Sequence, residues 1–243
     1  MRHFAVLSLL TTICVSSALN LYAQQIIVRM LPVVKDKALL FDTLIYRNAT
    51  NQEFSVTRFR WYGTNIRCGG NTIDFPIADA NLFDAEDSAS LKTLAVMAPA
   101  GEYSWLSFDI GVDSLRNCTG VQEGALDPIH GMFWSWNSGY IFLKLEGFAP
   151  RSSAPGNKLE YHIGGFRPPA VCLRSVRLPF RSLHLTTSST LVVEIAVDIA
   201  EIFDHPKSID FGERPVVTDF HNAEEMADNY KDMFRIQGVR VIP

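Results

Sequence analysis

Apolar and polar residues alternate along much of the chain, most clearly in two segments. In the first segment, which follows Trp105, the apolar positions are Leu106, Phe108, Ile110 and Val112. In the second segment, they are Leu191, Val193, Ile195, Val197 and Ile199, with Glu194 and Asp198 between them. Because successive side chains of a strand point to opposite faces, this period of two predicts strands that are buried on one face.

Shorter segments predict further strands, separated by clusters of Gly, Pro, Asn and Asp. These segments are 25–31, 38–46, 54–66, 91–98, 139–147, 158–164, 171–178 and 182–187. We therefore predict an all-β fold, an immunoglobulin-like β-sandwich of about ten strands. The acidic stretch from Asp79 to Asp87 has few apolar residues, so we predict a solvated loop there.

One segment near the C-terminus has the period of a helix. Its apolar positions are Met226, Tyr230, Met233 and Phe234. They are spaced i, i+4, i+7 and i+8, which places them on one face of a helix. Asn222 and Glu225, three residues apart, form a suitable capping pair at its start. The sequence thus predicts one short C-terminal helix.

The beginning of the chain has the pattern of a secretory signal peptide. A basic start is followed by an uncharged apolar run over 4–15, and the small residue Ala23 offers a cleavage site. The run is shorter than the ~20 residues that span a bilayer, and no later segment approaches that length of apolar sequence. We expect residues 1–23 to be removed, leaving 24–243 as a single domain that is periplasmic or secreted.

Composition and charge exclude several classes of protein. The 243 residues are 47% hydrophobic and 20% charged, which is typical of a globular chain and not of a disordered one. The formal net charge is −4, so the chain lacks the basic surface of a nucleic-acid-binding protein. We expect no nucleic-acid partner.

Cysteines and histidines form no local site motif. Outside the predicted signal peptide, Cys68, Cys118 and Cys172 are far apart, so one disulfide with one free thiol and three reduced thiols are both compatible with the sequence. The histidines make no HExxH signature, although ligands from separate strands would leave none. With no GxSxG, GxGxxG or Walker sequence, we expect a protein that is not an enzyme.

The most unusual segment is rich in aromatic residues and runs from Gly124 to Gly147. Phe133, Trp134, Trp136 and Tyr140 lie within eight residues of one another. Such a cluster serves either as an aromatic core plug or as a ligand or redox site, because indole rings stack on ligands and relay oxidising equivalents.

Five motifs carry a resemblance to a known family. They are FDIGVDSLRN at 108–117, GALDP at 124–128, GMFWSWNSGYIFLKLEG at 131–147, YHIGGF at 161–166 and ADNYKDMF at 227–234. With these motifs the chain resembles the MbnP-like family of exported bacterial copper-binding proteins. The resemblance implies a β-sandwich that binds copper through histidine nitrogens, with one tryptophan oxidised to kynurenine by a partner di-haem cytochrome c peroxidase-like protein.

The resemblance also implies site residues. Trp134 and Trp136 match the aromatic motif and are the candidates for conversion to kynurenine, with Tyr140 beside them in the cofactor site. His162 matches the YHIGG block, and we expect His162, His221 and Met30 as metal ligands. Asp127 and Glu146 are candidates for supporting hydrogen bonds to a metal-binding histidine.

One departure from the family leaves an alternative open. A copper-binding relative has a histidine two positions after the modified tryptophan, whereas Trp136 and Ser138 occupy the corresponding positions here. The leading hypothesis is an exported copper-binding protein. The alternative is a structural or ligand-recognition β-sandwich without metal, in which Trp134, Trp136 and Tyr140 belong to the core or contact a glycan.

Overall fold

The computed structural model describes residues 24–87, 94–120, 122–135, 138–220 and 222–243. The predicted signal peptide, Trp136 and His221 lie outside these ranges. The strands are β1 Gln25–Val34, β2 Lys37–Ala38, β3 Tyr46–Arg47, β4 Glu53–Gly69, β5 Asp74–Asp84, β6 Leu94–Met97, β7 Gly101–Ile110, β8 Phe133–Ser135, β9 Gly139–Tyr140, β10 Leu143–Phe148, β11 Lys158–Ile163, β12 Phe166–Arg167, β13 Ala170–Val171, β14 Arg174–Leu185, β15 Thr190–Asp198, β16 Val216–Val217 and β17 Phe234–Ile242. The α-helices are α1 Ser114–Cys118 and α2 Ala223–Tyr230, and 3₁₀ turns span Gly124–Leu126, Pro128–His130, Pro155–Asn157, Ile199–Phe203 and Lys231–Met233.

Two sheets form the body of the molecule, which confirms the predicted all-β sandwich. The five-stranded sheet has the order β17-β15-β1-β2, with β6 also paired to β1. The eight-stranded sheet has the order β14-β7-β4-β10-β11-β16, with β3 and β5 also paired to β4. β1 runs parallel to β15, from Gln25 opposite Thr190 to Val33 opposite Asp198. β4 is the long central strand, and every element of the candidate site lies on or beside its sheet.

The core is apolar and rich in aromatic residues. Trp61 on β4 is fully buried, and its ring stacks between those of Phe59 and Phe83 at centroid distances of 4.9 and 5.0 Å. The five-stranded sheet contributes the inward-facing side chains of β1 and β15, Met30 and Ile195 among them. Burial of aromatic area on this scale stabilises the sandwich without disulfides. All three cysteines of the described chain are free: Cys68 and Cys172 are buried and Cys118 is exposed.

The described residues contain more strands than the sequence predicted, since β5 and β17 were not expected. The predicted solvated loop over 79–87 is wrong for Asp79 to Asp84, which lie within β5. This strand pairs with β4 and carries polar side chains on both faces. Its final residue, Asp84, lies opposite Arg60 of β4 and forms an ion pair with it at 2.8 Å. This pairing compensates the negative charge, so an acidic residue is tolerated at that position of the strand.

The C-terminal helix is present but shorter than predicted. α2 ends at Tyr230, the next turn is 3₁₀, and Phe234 begins β17 and not another helical turn. Asn222 is at the N-cap, but its φ of 64° is left-handed and its side chain makes no capping hydrogen bond. A second helix, α1, was not predicted. None of the helices in the described ranges is long and apolar enough to span a membrane.

Candidate functional site

The outer face of the eight-stranded sheet carries a grid of charged side chains. Phe59 and Trp61 of β4 point into the core, so Arg58, Arg60 and Tyr62 between and beside them point outward. Arg60 lies opposite Lys144 of β10. The antiparallel pairing thus places charged residues from four neighbouring strands in two rows. The first row is Asp84, Arg60, Lys144 and His162, and the second is Arg58, Glu146 and Glu160.

His162 ends the first row of this grid, on β11. Its side chain is only 14% exposed, and Nε2 lies 2.8 Å from Oε1 of Glu146 on the neighbouring strand. Nδ1 faces Oε1 of Glu160 at 3.9 Å, which is beyond hydrogen-bond distance. Burial lowers the pKa of His162, and the hydrogen bond to Glu146 opposes that effect. The imidazole is therefore held in one orientation, with a bias toward the neutral form that binds metals.

Two cations of the grid hold the start of the aromatic segment. Lys144 Nζ donates to the carbonyl oxygen of Gly131 at 2.5 Å, and Arg60 Nη1 donates to the carbonyl oxygen of His130 at 3.3 Å. Burial is the main cause of a lowered pKa at Lys144. Because these carbonyls end the 3₁₀ turn Pro128–His130, both cations lie where a helical turn favours positive charge. The charged face and the aromatic segment are thus physically connected.

Trp134 lies on β8, beside the strand that carries His162. Its ring meets that of Phe220 edge-on at a centroid distance of 6.2 Å. A Cβ at Gly164 would lie 2.9 Å from Cζ3 of Trp134 and 2.4 Å from the carbonyl oxygen of Tyr140, so the lack of a side chain there lets both approach β11. Gly164 is two residues after His162. Trp134 is half-buried in this position and retains partial access to solvent.

Tyr140 is a core residue and not a surface contact. It is 1% exposed, and its hydroxyl donates to the carbonyl oxygen of Leu126 at 2.7 Å. Its ring packs edge-on against those of Phe133 (4.9 Å) and Tyr62 (5.6 Å). This burial favours the core role that the alternative hypothesis gave to Tyr140, and it leaves no surface for glycan contact by this side chain.

Asn117 is a positioning residue that sequence reasoning missed. It is 4% exposed, and its Nδ2 donates to the carbonyl oxygens of Val112 (2.7 Å) and Asp113 (2.9 Å). Its Oδ1 accepts from the backbone N–H of Tyr140 at 3.0 Å. One side chain thereby ties α1 to the β8–β9 hairpin that carries Trp134. The residue lies within the FDIGVDSLRN motif, which was the only signal for it.

The structure brings some of the predicted site residues together and separates another. His162 and Trp134 lie on one side of the eight-stranded sheet. The Glu146 carboxylate is hydrogen-bonded to the His162 imidazole, as expected. Met30 is 1% exposed in the core on the other sheet, so the structure does not bring it to His162. Trp136 and His221 are outside the described residues, although Phe220, which precedes His221, contacts Trp134.

Asp127, one of the predicted supporting groups, and the nearby His130 have local structural roles. The Asp127 carboxylate accepts from the N–H of Ile129 and caps the 3₁₀ turn that follows, so it does not support a histidine. His130 Nε2 lies 2.9 Å from the carbonyl oxygen of Gly124, within the same segment. In the part of the chain that the structure describes, no three His, Cys, Asp or Glu side chains converge to hold a metal ion.

Comparisons with known proteins agree with this arrangement of sheets. A family model described as MbnP matches residues 23–221. Among solved structures, MbnP from Methylosinus trichosporium is similar in fold, with a TM-score of 0.53, 15% sequence identity, and coverage of 91% of this chain and 99% of that one. No curated protein matches the sequence. Since the family model spans most of the sequence, this chain belongs to the MbnP family.

Proposed function

We propose that the chain is an exported copper-binding protein and not an enzyme, with its copper site on the outer face of the eight-stranded sheet near His162 and Trp134. The observation that supports this most is the state of the His162 imidazole. Nε2 is hydrogen-bonded to Glu146 at 2.8 Å, whereas Nδ1 lies 3.9 Å from Oε1 of Glu160, too far for a hydrogen bond. Metal-binding histidines typically carry a carboxylate on the ring nitrogen that does not bind the metal, and imidazole suits copper.

The remaining donors of the proposed site come from the aromatic segment and from His221. Oxidation of Trp134 to kynurenine would open the indole ring and provide an aniline nitrogen and a carbonyl oxygen. Trp134 is packed against Phe220 and beside Gly164, so the segments that carry His162 and His221 both adjoin it. Trp136 is the other tryptophan that we propose for oxidation.

Membership of the MbnP family supports the rest of the proposal. We infer that a partner di-haem cytochrome c peroxidase-like protein oxidises the tryptophan, which requires an accessible indole, and Trp134 is half-buried and not enclosed. The apolar run in residues 4–15 supports a cleaved signal peptide and a periplasmic or secreted location.

Copper content of matched histidine variants tests the proposal. The full chain is expressed together with a di-haem cytochrome c peroxidase-like protein from the same genome, purified from the periplasm and analysed for metal. We expect His162→Ala to lose most of its copper. The control is His184→Ala, because Nδ1 of His184 also contacts a glutamate, Glu102, at 2.9 Å, but on an exposed part of β14. Wild-type protein without stoichiometric copper, or equal copper in both variants, contradicts the proposal.

Peptide mass analysis tests the tryptophan. We expect a modified indole in the tryptic peptide 117–144 of wild-type protein, and its loss in Trp134→Phe or in the corresponding variant of Trp136. Trp105→Phe is the control, since that ring lies on β7 beneath the guanidinium of Arg177 at 3.9 Å. An unmodified peptide after co-expression with the peroxidase would exclude the oxidation step.

A further inference from the structure

We propose that residues 124–131 form a hinged lid over the Tyr62–Tyr140 pair and control the access of solvent and small reagents to these phenols. The lid consists of two 3₁₀ turns, Gly124–Leu126 and Pro128–His130, neither of which is part of a sheet. This role goes beyond copper binding and depends on none of the proposed metal ligands.

The two ends of the lid have the properties of hinges. Gly124 has a φ of 64° and Gly131 a φ of 66°, in the left-handed region that glycine enters without strain. No heavy atom lies within 4 Å of a Cβ built at either position, so neither glycine is required by close packing. Glycines at both ends of a short segment allow it to rotate as a unit.

A small number of contacts holds the lid closed. Lys144 and Arg60 donate to the carbonyl oxygens of Gly131 and His130, and the Tyr140 hydroxyl donates to that of Leu126. Leu126 is the one buried apolar side chain of the lid, whereas the side chain of Ile129 is 83% exposed. Opening therefore breaks three side-chain hydrogen bonds, uncovers one leucine and separates the first turn of the lid from β5, against which it packs.

The phenol of Tyr62, beneath the lid, opposes closure of the lid. Tyr62 points outward from β4 yet is fully buried, and in the described structure its hydroxyl has no hydrogen-bond partner. Burial is the main cause of its raised pKa. The Tyr140 ring packs edge-on against the Tyr62 ring at 5.6 Å, and the Tyr140 hydroxyl bonds to Leu126, which links the pair to the lid. A buried hydroxyl without a partner is unfavourable compared with a hydrated one, so an open lid relieves a penalty that the closed lid imposes. The lid is thus poised between two states.

Chemical labelling of tyrosine tests this inference on metal-free protein, which keeps it separate from the copper measurements. Tetranitromethane nitrates accessible phenols, and peptide mass analysis gives the rate at each tyrosine. Tyr161 is the internal reference, because it is fully buried and donates to the carbonyl oxygen of Arg214 at 2.8 Å. Lys144→Met should raise the nitration rate of Tyr62 and Tyr140 about three- to tenfold relative to Tyr161, the range expected for one lost hydrogen bond.

Two further variants make the outcome decisive. Lys158→Met removes a cation on the neighbouring strand that pairs with Glu160 and does not contact the lid, and it should leave both rates unchanged. Tyr62→Phe removes the unpartnered hydroxyl and should slow the nitration of Tyr140 severalfold. Unchanged or faster nitration of Tyr140 in Tyr62→Phe overturns the lid, as do equal effects of the two lysine variants. If Lys144→Met does not fold, the Tyr62→Phe result decides alone.

Discussion

The connection that Asn117 makes between α1 and the aromatic hairpin leads to a quantitative prediction. Asn117→Ala removes three hydrogen bonds, two of them buried, and leaves the N–H of Tyr140 and the carbonyl of Val112 without these partners. A buried polar group left unpaired costs about 1–3 kcal/mol, so we expect the free energy of unfolding to fall by about 2–4 kcal/mol. That is a large part of the ~5–15 kcal/mol that stabilises a typical domain.

The assay is equilibrium unfolding of chain 24–243 in urea, followed by circular dichroism and by tryptophan fluorescence. Asn71→Ala is the control: Asn71 is exposed in the turn between β4 and β5, and its replacement should change the free energy by less than about 0.5 kcal/mol. Asn117→Asp keeps the acceptor for Tyr140 but places a carboxylate against two carbonyl oxygens. We expect it to be destabilised as well, and less so at acidic pH.

Equal stability of Asn117→Ala and Asn71→Ala would contradict this prediction. In that case the amide contributes no net stabilisation, and the hairpin is held by other contacts. A loss of stability without a change in the emission of the hairpin tryptophans would separate the two functions of Asn117, because the side chain would then stabilise α1 without positioning the hairpin.

Three other perturbations have definite expected results. Gly164→Ala places a Cβ 2.4 Å from the carbonyl oxygen of Tyr140 and should lower the free energy of unfolding by about 1–3 kcal/mol, measured in urea; a neutral effect would mean that the backbone moves apart freely. Burial and then nearby acids raise the pKa of Glu201, so its folded form holds a proton at a pH where the unfolded chain has lost it, and stability falls as pH rises through that range. Glu201→Gln should therefore increase stability at pH 7, with the gain vanishing below about pH 4, whereas the exposed control Glu213→Gln should show no such dependence. Of the three cysteines in the described residues, a thiol reagent should label Cys118 in the native protein and the two buried ones only after unfolding, since burial raises the pKa of both buried thiols to about 12. Rapid labelling of either buried cysteine in the native protein would show that the core opens.

The strands with regular alternation were predictable, and those without it were not. β7 and β15 follow the period of two that their residues indicate. β5 could not be identified because polar residues interrupt both of its faces, with Asp79 and Asn81 on one face and Asp84 on the other, so no period of two is visible. The pairing with β4 and the ion pair between Arg60 and Asp84 make a strand possible there. Phe234 fits a helical period in sequence. The residues after it alternate between apolar and polar and pair with β15, so Phe234 begins β17 and does not extend the helix.

The site was predictable only in part, for a similar reason. His162 and Trp134 were identified from motifs. The contact between His162 and Glu146 depends on the exact register of β10 against β11, which no spacing in the sequence reveals. The unpartnered hydroxyl of Tyr62 depends on a segment that folds back over the sheet from far along the chain. Such features arise from tertiary packing, so they become visible only in three dimensions.

The parallel pairing of β1 with β15 has a consequence for how the chain acquires its structure. Residues that meet in this ladder, such as Gln25 and Thr190, are 165 positions apart. β1 therefore cannot pair with β15 until most of the polypeptide has been made. Contacts between residues so far apart in sequence slow folding. Because β1 lies between β15 and β2 in the five-stranded sheet, its inner edge stays unpaired until β15 is available, so the closing of this sheet is a late event in folding.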